Sequence, residues 1–505
     1  MHVIDIVIVV LYLLGLFAVG IFSRTRIKTM DDYLVAGNRF KTFSLVGTIM
    51  ASLIGAGMVM GIIGKVYLYG SGMIWNYIGF AVGLAAFALF FVGPLRKAQK
   101  RTMAEFMAGD FGRLPRFLVG IFAALYAFAC LAMCITGMAR LLTYITQGMG
   151  WDLNITLATI ICVMIGVGLT ALGGLYSVVW TDAIQFIIMI VVVLIIGPAI
   201  AIHEAGSFSA INDIIGSVNA TADSAGADLL HITRNVPLSY IIASFVLLAI
   251  SIPGDPTVPQ RALAGTDTKT VKRAFLIAAV VVIIFGFALC LIGGGAIATM
   301  PDIENSIYGT TEAAFPAFIM EYFPPVIAGL GIAALLSAIL STVTSMLLVG
   351  TTHLVYDAGQ AVFPKISEKT FKKMIPLATI VVGIAIIFVS LKITSLADVL
   401  YFSFSLCGGA FLLPMIATLF WKRASKWGIS LGIFGGGAVV LFMYIMAAVT
   451  GNYNWYGIGG DPVYTALIVC AVLTVGGSLL IPGGKLEKVK ETAEKTETEF
   501  EKISQ

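Results

Sequence analysis

The chain has 505 residues, of which 59% are hydrophobic and only 11% charged, with a mean hydropathy of +0.99 and a formal net charge of +4. A soluble domain carries about 25% charged residues, so a water-soluble fold is excluded. The long unbroken apolar runs also exclude a transmembrane barrel, whose strands alternate at every second residue. What remains is an all-α polytopic protein of the cell membrane, with the lipid bilayer as a partner and no charge pattern that asks for nucleic acid.

Runs of about 20 apolar residues predict thirteen spans, at 3–22, 42–69, 72–93, 117–147, 154–173, 179–202, 236–255, 274–299, 325–354, 375–395, 397–421, 428–450 and 462–481. The first span lacks a basic leader and a small-residue cleavage site, so it reads as a retained helix and not a signal peptide. With the N-terminus outside, 27 of the 31 Lys and Arg residues fall in the inner connections, the exceptions being Lys65, Arg140, Arg234 and Lys392. The positive-inside rule therefore places the N-terminus outside and the C-terminus in the cytoplasm. The mixed-charge tail 483–505 reads as a solvated or disordered segment. Cys130, Cys134, Cys162, Cys290, Cys407 and Cys470 all lie in apolar stretches and read as small buried hydrophobes.

Two spans cannot be regular helices. Span 2 contains Gly55, Gly57 and Gly61 within seven residues, which suits either a helix break or close packing through small residues. Span 7 runs into Pro253-Gly254-Asp255-Pro256-Thr257-Val258-Pro259. Each proline deletes an N–H and clashes with the preceding turn, at about 3 kcal/mol, so the helix either breaks or ends there. Carbonyls freed at membrane depth must face protein or a water-filled cavity. The breaks lie five spans apart, an odd number. Spans 2–6 and 7–11 therefore form two repeats of opposite orientation, the pattern of an inverted-repeat secondary transporter with its site between the broken helices. The expected organisation is one transmembrane domain, 1–482, with repeats at about 42–202 and 236–421 and peripheral helices at 3–22, 428–450 and 462–481.

The run Gly173-Gly174-Leu175-Tyr176-Ser177-Val178-Val179-Trp180-Thr181-Asp182-Ala183-Ile184-Gln185 resembles the junction of spans 5 and 6 in the sodium:solute symporter family. Gln260-Arg261-Ala262-Leu263-Ala264 and Ala338-Ile339-Leu340-Ser341-Thr342 are similar to further stretches of that family. The wording around Val66-Tyr67, Leu89-Phe90-Phe91 and Gly174-Leu175-Tyr176 resembles its choline-transporting branch most. The resemblance implies a leucine-transporter-like five-plus-five inverted repeat and sodium-driven uptake by alternating access, with sodium as coupling ion and no other cofactor. It does not imply choline. Leu53 stands where that branch has an aromatic residue, and Gly254, Asp255, Pro256 and Thr257 replace the aromatic and amide residues of the second break, so a cation–π cage is weakened.

The same resemblance carries the family's sodium site onto Ala51, Ile54, Ala338, Ser341 and Thr342. A hard cation needs oxygens, and these positions offer hydroxyls and carbonyls beside a break. Ser and Thr could equally bond back to their own helix. A second sodium would fall on Asp182, Ser341, Thr344 and Ser345, unless Asp182 simply caps span 6. Position relative to the breaks suggests a solute cavity lined by Leu53, Met58, Trp75, Asn76, Asp255, Thr257, Tyr401 and Phe404, with Arg140 from span 4. Arg forks onto carboxylates and Asp suits an amine, so an amino-acid-like zwitterion or a monocarboxylate fits better than a sugar. Arg140 also has a plain alternative in snorkelling to the outer interface, and Asp255 in capping a short helix. No HExxH, GxSxG or Cys/His metal spacing suggests an enzyme, and no filter loop or charged ring suggests a channel. The nearest rival is a proton-coupled or uncoupled carrier of the same fold.

Overall fold

The computed structural model describes residues 2–24, 29–98, 100–109, 111–217, 238–450 and 462–482. The charged tail at 483–505 and Arg234 lie outside the described residues. The chain is nearly all helical. Among the described residues ten helices are long and apolar enough to cross a membrane, and two further pairs are bent at short breaks. A shorter apolar helix, Ile155–Thr170, occupies the place of span 5. Spans 4 and 9 are the longest, Arg113–Gln147 and Ile327–Val362, at 35 and 36 residues.

Span 2 is Thr42–Leu53 followed by Gly57–Tyr67, at an angle of 66°. Span 7 is Ile241–Gly254 followed by Thr257–Ala264, at 52°. Span 7 does not end at its prolines. The eight-residue piece after the break is buried along its whole length, which a cytoplasmic loop would not be. Asp255 and Pro256 separate the two pieces.

Span 9 is the centre of the packing. It is buried throughout its most apolar stretch and touches spans 1, 2, 4, 5 and 10. Small residues allow this: Gly166 of span 5 and Gly350 of span 9 each receive a neighbouring side chain where a Cβ would stand. Spans 12 and 13 pack on each other, with Gly428 and Gly432 against Ser478 and Thr474, and lean on span 11.

The connections sort by charge. At the basic end, Arg96 donates to the carbonyls of Ala262, Gly265 and Thr266 at 3.1, 2.8 and 3.0 Å. Arg101 pairs with Asp31 at 2.6 Å, and Arg116 with Asp357 at 3.1 Å. Phe40 N–H donates to Ala264 and Thr266 N–H to Phe40, tying the approach to span 2 to the exit from span 7. Four of the lysine- and arginine-rich connections therefore meet at one end, which the positive-inside rule assigns to the cytoplasm. Two of the exceptions, Lys65 and Arg140, pair instead with Asp398 and Glu312.

Between spans 5 and 6 the helix turns at Gly174, whose φ is +48°. A Cβ there would sit 2.6 Å from the Tyr33 ring. Both the left-handed backbone and the contact require glycine. Gly174→Ala is therefore expected to cost more than about 1 kcal/mol and to lower the melting temperature of the purified protein. Adding Tyr33→Ala should return only the steric part of that loss. An unchanged melting temperature in the single variant would contradict the strained junction.

Candidate functional site

The break in span 2 comes where the helix meets glycine. The last helical residue is Leu53, and Ile54 turns out of helical geometry with φ −98° and ψ 81°. Gly55 follows, and a Cβ on it would lie 2.9 Å from Thr342 Oγ1. Only glycine lets the unwound strand come this close to span 9. Ser341 Oγ has three carbonyls within reach of its one proton, Ala51 O at 2.7 Å, Ser337 O at 2.7 Å and Ala338 O at 3.1 Å. Thr342 Oγ1 likewise has Ala51 O at 3.3 Å, Ser52 O at 3.4 Å and Ala338 O at 3.1 Å. The back-bonding to their own helix is real, yet both hydroxyls also cross to span 2. The oxygens of Ala51, Ala338, Ser341 and Thr342 converge beside the Ile54–Gly55 turn.

On span 6, Asp182 is buried and does not cap a helix, since it lies well inside the span Gly174–Glu204 that follows the turn. Its Oδ2 accepts from Thr48 Oγ1 at 2.6 Å and Ser52 Oγ at 3.1 Å, while its Oδ1 has no hydrogen-bond partner among the described residues. Ser345 Oγ lies 3.0 Å from Ser52 Oγ, and Thr344 Oγ1 donates to Ser341 O at 3.0 Å. Asp182 thus reaches Ser345 through Ser52.

Arg261, which sequence reasoning met only within a motif, holds this cluster together. It is fully buried on the second half of span 7. Its Nε and Nη2 donate to Ser52 Oγ at 3.1 and 2.7 Å, and Nη2 also donates to Ser345 Oγ. Its Nη1 donates to Gln260 Oε1 at 2.9 Å, and Gln260 in turn donates to Leu34 O at 3.1 Å. A single guanidinium joins both broken helices to span 9. The planar fork suits Arg and not Lys. The signal available in the sequence was an arginine next to a helix break, but its partners Ser52 and Ser345 lie 209 and 84 residues away.

At the second break Asp255 caps the short helix, its Oδ1 accepting from Thr257 N–H and Oγ1 at 2.7 Å each. Its Oδ2 accepts from Tyr126 O–H of span 4 at 2.5 Å. Leu53 and Thr257 line one small crevice with Ser52 and Arg261. Met58, Tyr401 and Phe404 each meet the helix Ile74–Ala86, which carries Asn76. Tyr401 O–H lies 3.4 Å from Asn76 Oδ1, Tyr77 O–H donates to the Met58 carbonyl, and Phe404 packs edge-on to Phe80 at 6.3 Å. Trp75 meets Phe245 of span 7 at 6.2 Å.

Arg140 is placed elsewhere. Its Nη1 binds Glu312 at 2.6 Å, and its Nη2 donates to Ile393 O and Thr394 O at 2.9 and 2.8 Å. Glu312 also accepts from Leu396 N–H at 2.7 Å. This pair closes the outer end between span 4, the connection before span 9 and the start of span 11. Burial raises the Glu312 carboxyl above the ordinary range, against the pull of Arg140 and the span 11 amides. All six cysteines are buried free thiols.

The sequence profile of the sodium:solute symporter family matches residues 33–436. The high-affinity proline transporter PutP of Bacillus subtilis (strain 168) is 26% identical over 436 residues, covering 84% of this chain and 88% of its own. The sodium/glucose cotransporter 4 of Danio rerio is 26% identical over 486 residues, covering 89% of this chain and 72% of its own. Among solved structures, the substrate-bound outward-open state of a Na+-coupled sialic acid symporter superposes with a TM-score of 0.76 at 20% identity, covering 96% of this chain and 98% of that one. Mhp1, a nucleobase-cation-symport-1 family transporter, in a closed conformation gives 0.56 at 15% identity, covering 88% and 93%.

The Arg261 cluster leads to a double-mutant test. Arg261→Ala leaves the Asp182 carboxylate buried without its cation, a loss of about 3–5 kcal/mol, so the yield of monodisperse protein should fall sharply. Arg261→Ala with Asp182→Asn should recover much of it. Equal losses in the single and double variants, read by size-exclusion profile and melting temperature, would show that the two charges do not compensate each other.

Proposed function

This chain belongs to the sodium:solute symporter family, multi-pass membrane transporters that couple sodium to solute uptake, and from that premise we propose where the coupling ion sits and what class of solute it drives. The ion site is Ala51, Ile54, Ala338, Ser341 and Thr342. The observation that carries it is the crossing of the Ser341 and Thr342 hydroxyls from span 9 to the Ala51 carbonyl of broken span 2. Without an ion those hydroxyls spend their protons on the carbonyls. With one, each rotates and offers a lone pair, and the same oxygens become ligands.

The solute site lies beside the same break, near Met58, Asn76, Tyr401 and Phe404, with the unwound backbone at Ile54–Gly55 and at Asp255–Pro256. Backbone N–H and C=O groups turned out of the regular helix ladder at two breaks suit a carboxylate and an ammonium. The one amide and the aromatic rings leave little hydrogen-bonding for a polyol. A small zwitterion or monocarboxylate is therefore the proposed solute class. The name of the proline transporter relative agrees with this, while that of the glucose cotransporter points to the other class. Arg140 does not serve the solute in this reading, because Glu312 and two carbonyls occupy its guanidinium.

Sodium and solute hold the same pair of elements, so linkage requires each to tighten the other by the same factor, about 5–150-fold for a typical coupling of about 1–3 kcal/mol. Calorimetry over a panel of amino acids and monocarboxylates, in sodium and then in potassium, tests this. Equal affinities in the two salts would remove the symport mechanism. A proton-coupled carrier would instead respond to pH at fixed sodium.

Replacing Ser341 and Thr342 together by Ala should raise the sodium concentration for half-maximal uptake at least tenfold, about 1.4 kcal/mol. Unchanged sodium dependence at normal protein level would sink the assignment. A second ion on Asp182, Ser341, Thr344 and Ser345 is favoured by one observation, the partnerless Oδ1 of Asp182. The same uptake titration reads it: a Hill coefficient above one, reduced in Asp182→Asn, supports two ions, and a coefficient near one in the unaltered protein rejects the second.

A further inference from the structure

At the basic end, where span 4 begins and span 9 ends, a cavity of about 540 Å³ is lined by Lys100, Arg101, Glu105, Arg113, Arg116 and Tyr356, among others. Four of these six are cations. Two already have partners: Arg101 binds Asp31 at 2.6 Å, and Arg116 is shared between Glu105 and Asp357 at 3.1 Å each. Lys100 and Arg113 have no ion-pair partner among the described residues. Span 4 opens on Gly112, which also lines the cavity and offers no side chain to cap the first turn. The positive end of a 35-residue helix therefore faces the same space. Gln360 lines it too, with its buried Oε1 unpartnered.

Charge and shape together favour one kind of occupant. Two cations with no ion-pair partner among the described residues, beside a helix start with no side-chain cap, ask for an anion with several acceptor oxygens. Beside the cavity, next to its lining residue Pro364, Val362 and Phe363 are 53% and 60% exposed. An apolar lip at the end of a span lies where acyl chains meet head groups, and a free phosphate would gain nothing from it. We propose that this cavity binds the head group of an anionic phospholipid of the cytoplasmic leaflet. Its phosphate lies against Arg113 and Lys100 at the start of span 4. A head-group hydroxyl meets Gln360, and the acyl chains run over Val362 and Phe363. Arg116 joins this site to Asp357 near the end of span 9, so the lipid adds an anion beside the pair that fastens span 4 to the ion-bearing helix.

The test uses the full chain in nanodiscs of phosphatidylcholine, alone or with phosphatidylglycerol, and counts retained lipids by native mass spectrometry. The unaltered protein should retain phosphatidylglycerol over phosphatidylcholine. Each charge-assisted contact to the phosphate contributes about tenfold, so Lys100→Ala with Arg113→Ala should weaken that retention about a hundredfold. Lys269→Ala with Arg273→Ala removes the same charge from the same end and should leave retention unchanged. Three outcomes overturn the proposal: equal retention of the two lipids by the unaltered protein, equal losses in the two double variants, or full displacement of phosphatidylglycerol by inorganic phosphate. The unaltered-protein arm decides the matter even if the site variant does not fold.

Discussion

A helix that stops in the middle of a membrane must give its freed carbonyls to something other than lipid. In this protein the carbonyl of Ala51 goes to Ser341 and Thr342 of span 9, and much of the architecture follows from that requirement. Leaving such a group unsatisfied costs about 1–3 kcal/mol, so span 9 must run close to the break and present hydroxyls at the right height. Gly55 permits the approach, because any side chain there would strike Thr342. An arrangement that satisfies backbone polarity with two hydroxyls is also an arrangement of oxygens that a small cation can use. Structural need and ion chemistry converge on one set of atoms.

The second consequence is that span 9 becomes the reference element. It carries Ser341 and Thr342 near its middle, Ser345 one turn on, and His353 and Asp357 in a widened turn at its inner end. Ser345 is reached by Arg261 from one broken helix, and Ser52 of the other broken helix stands between them. Asp357 is held by Arg116 and Thr102. Movement of either broken helix must break hydrogen bonds to this one helix, which makes it the natural frame for alternating access. With ion and solute at the sites proposed above, coupling would need no long-range signal, since both would act on contacts beside the same break.

Several buried charges stand close to an opposite charge, while Asp255 is held by neutral donors alone. Asp182 and Arg261 face the same serine, Arg140 faces Glu312, and Arg116 faces Asp357 and Glu105. Removing one partner from such a pair is costlier than never having had it, which sets the logic of the double variants. The pairs also divide by height: Arg140 with Glu312 ties the outer end, Arg261 the ion-site cluster, and Arg116 the basic end. Each ties elements that a transport cycle would separate.

Much of this was legible along the chain. The apolar runs, the glycines of span 2 and the prolines of span 7 each act on their own neighbourhood, so periodicity and backbone chemistry reveal them without a partner. The hydroxyl pair in span 9 was legible as chemistry, and the family resemblance gave it a counterpart. What the chain could not reveal was pairing. Arg140 read as a ligand for solute or a snorkelling side chain, until packing put Glu312, 172 residues away, against it. Asp182 read as a helix cap or an ion ligand, and only packing placed Thr48 and Ser52 at its Oδ2. Tyr126 drew no notice before it met Asp255. Spans and breaks are decided by local backbone and solvation energies, which a sequence carries residue by residue. The partner of a buried charge is decided by which helices pack together, and only the tertiary structure settles that.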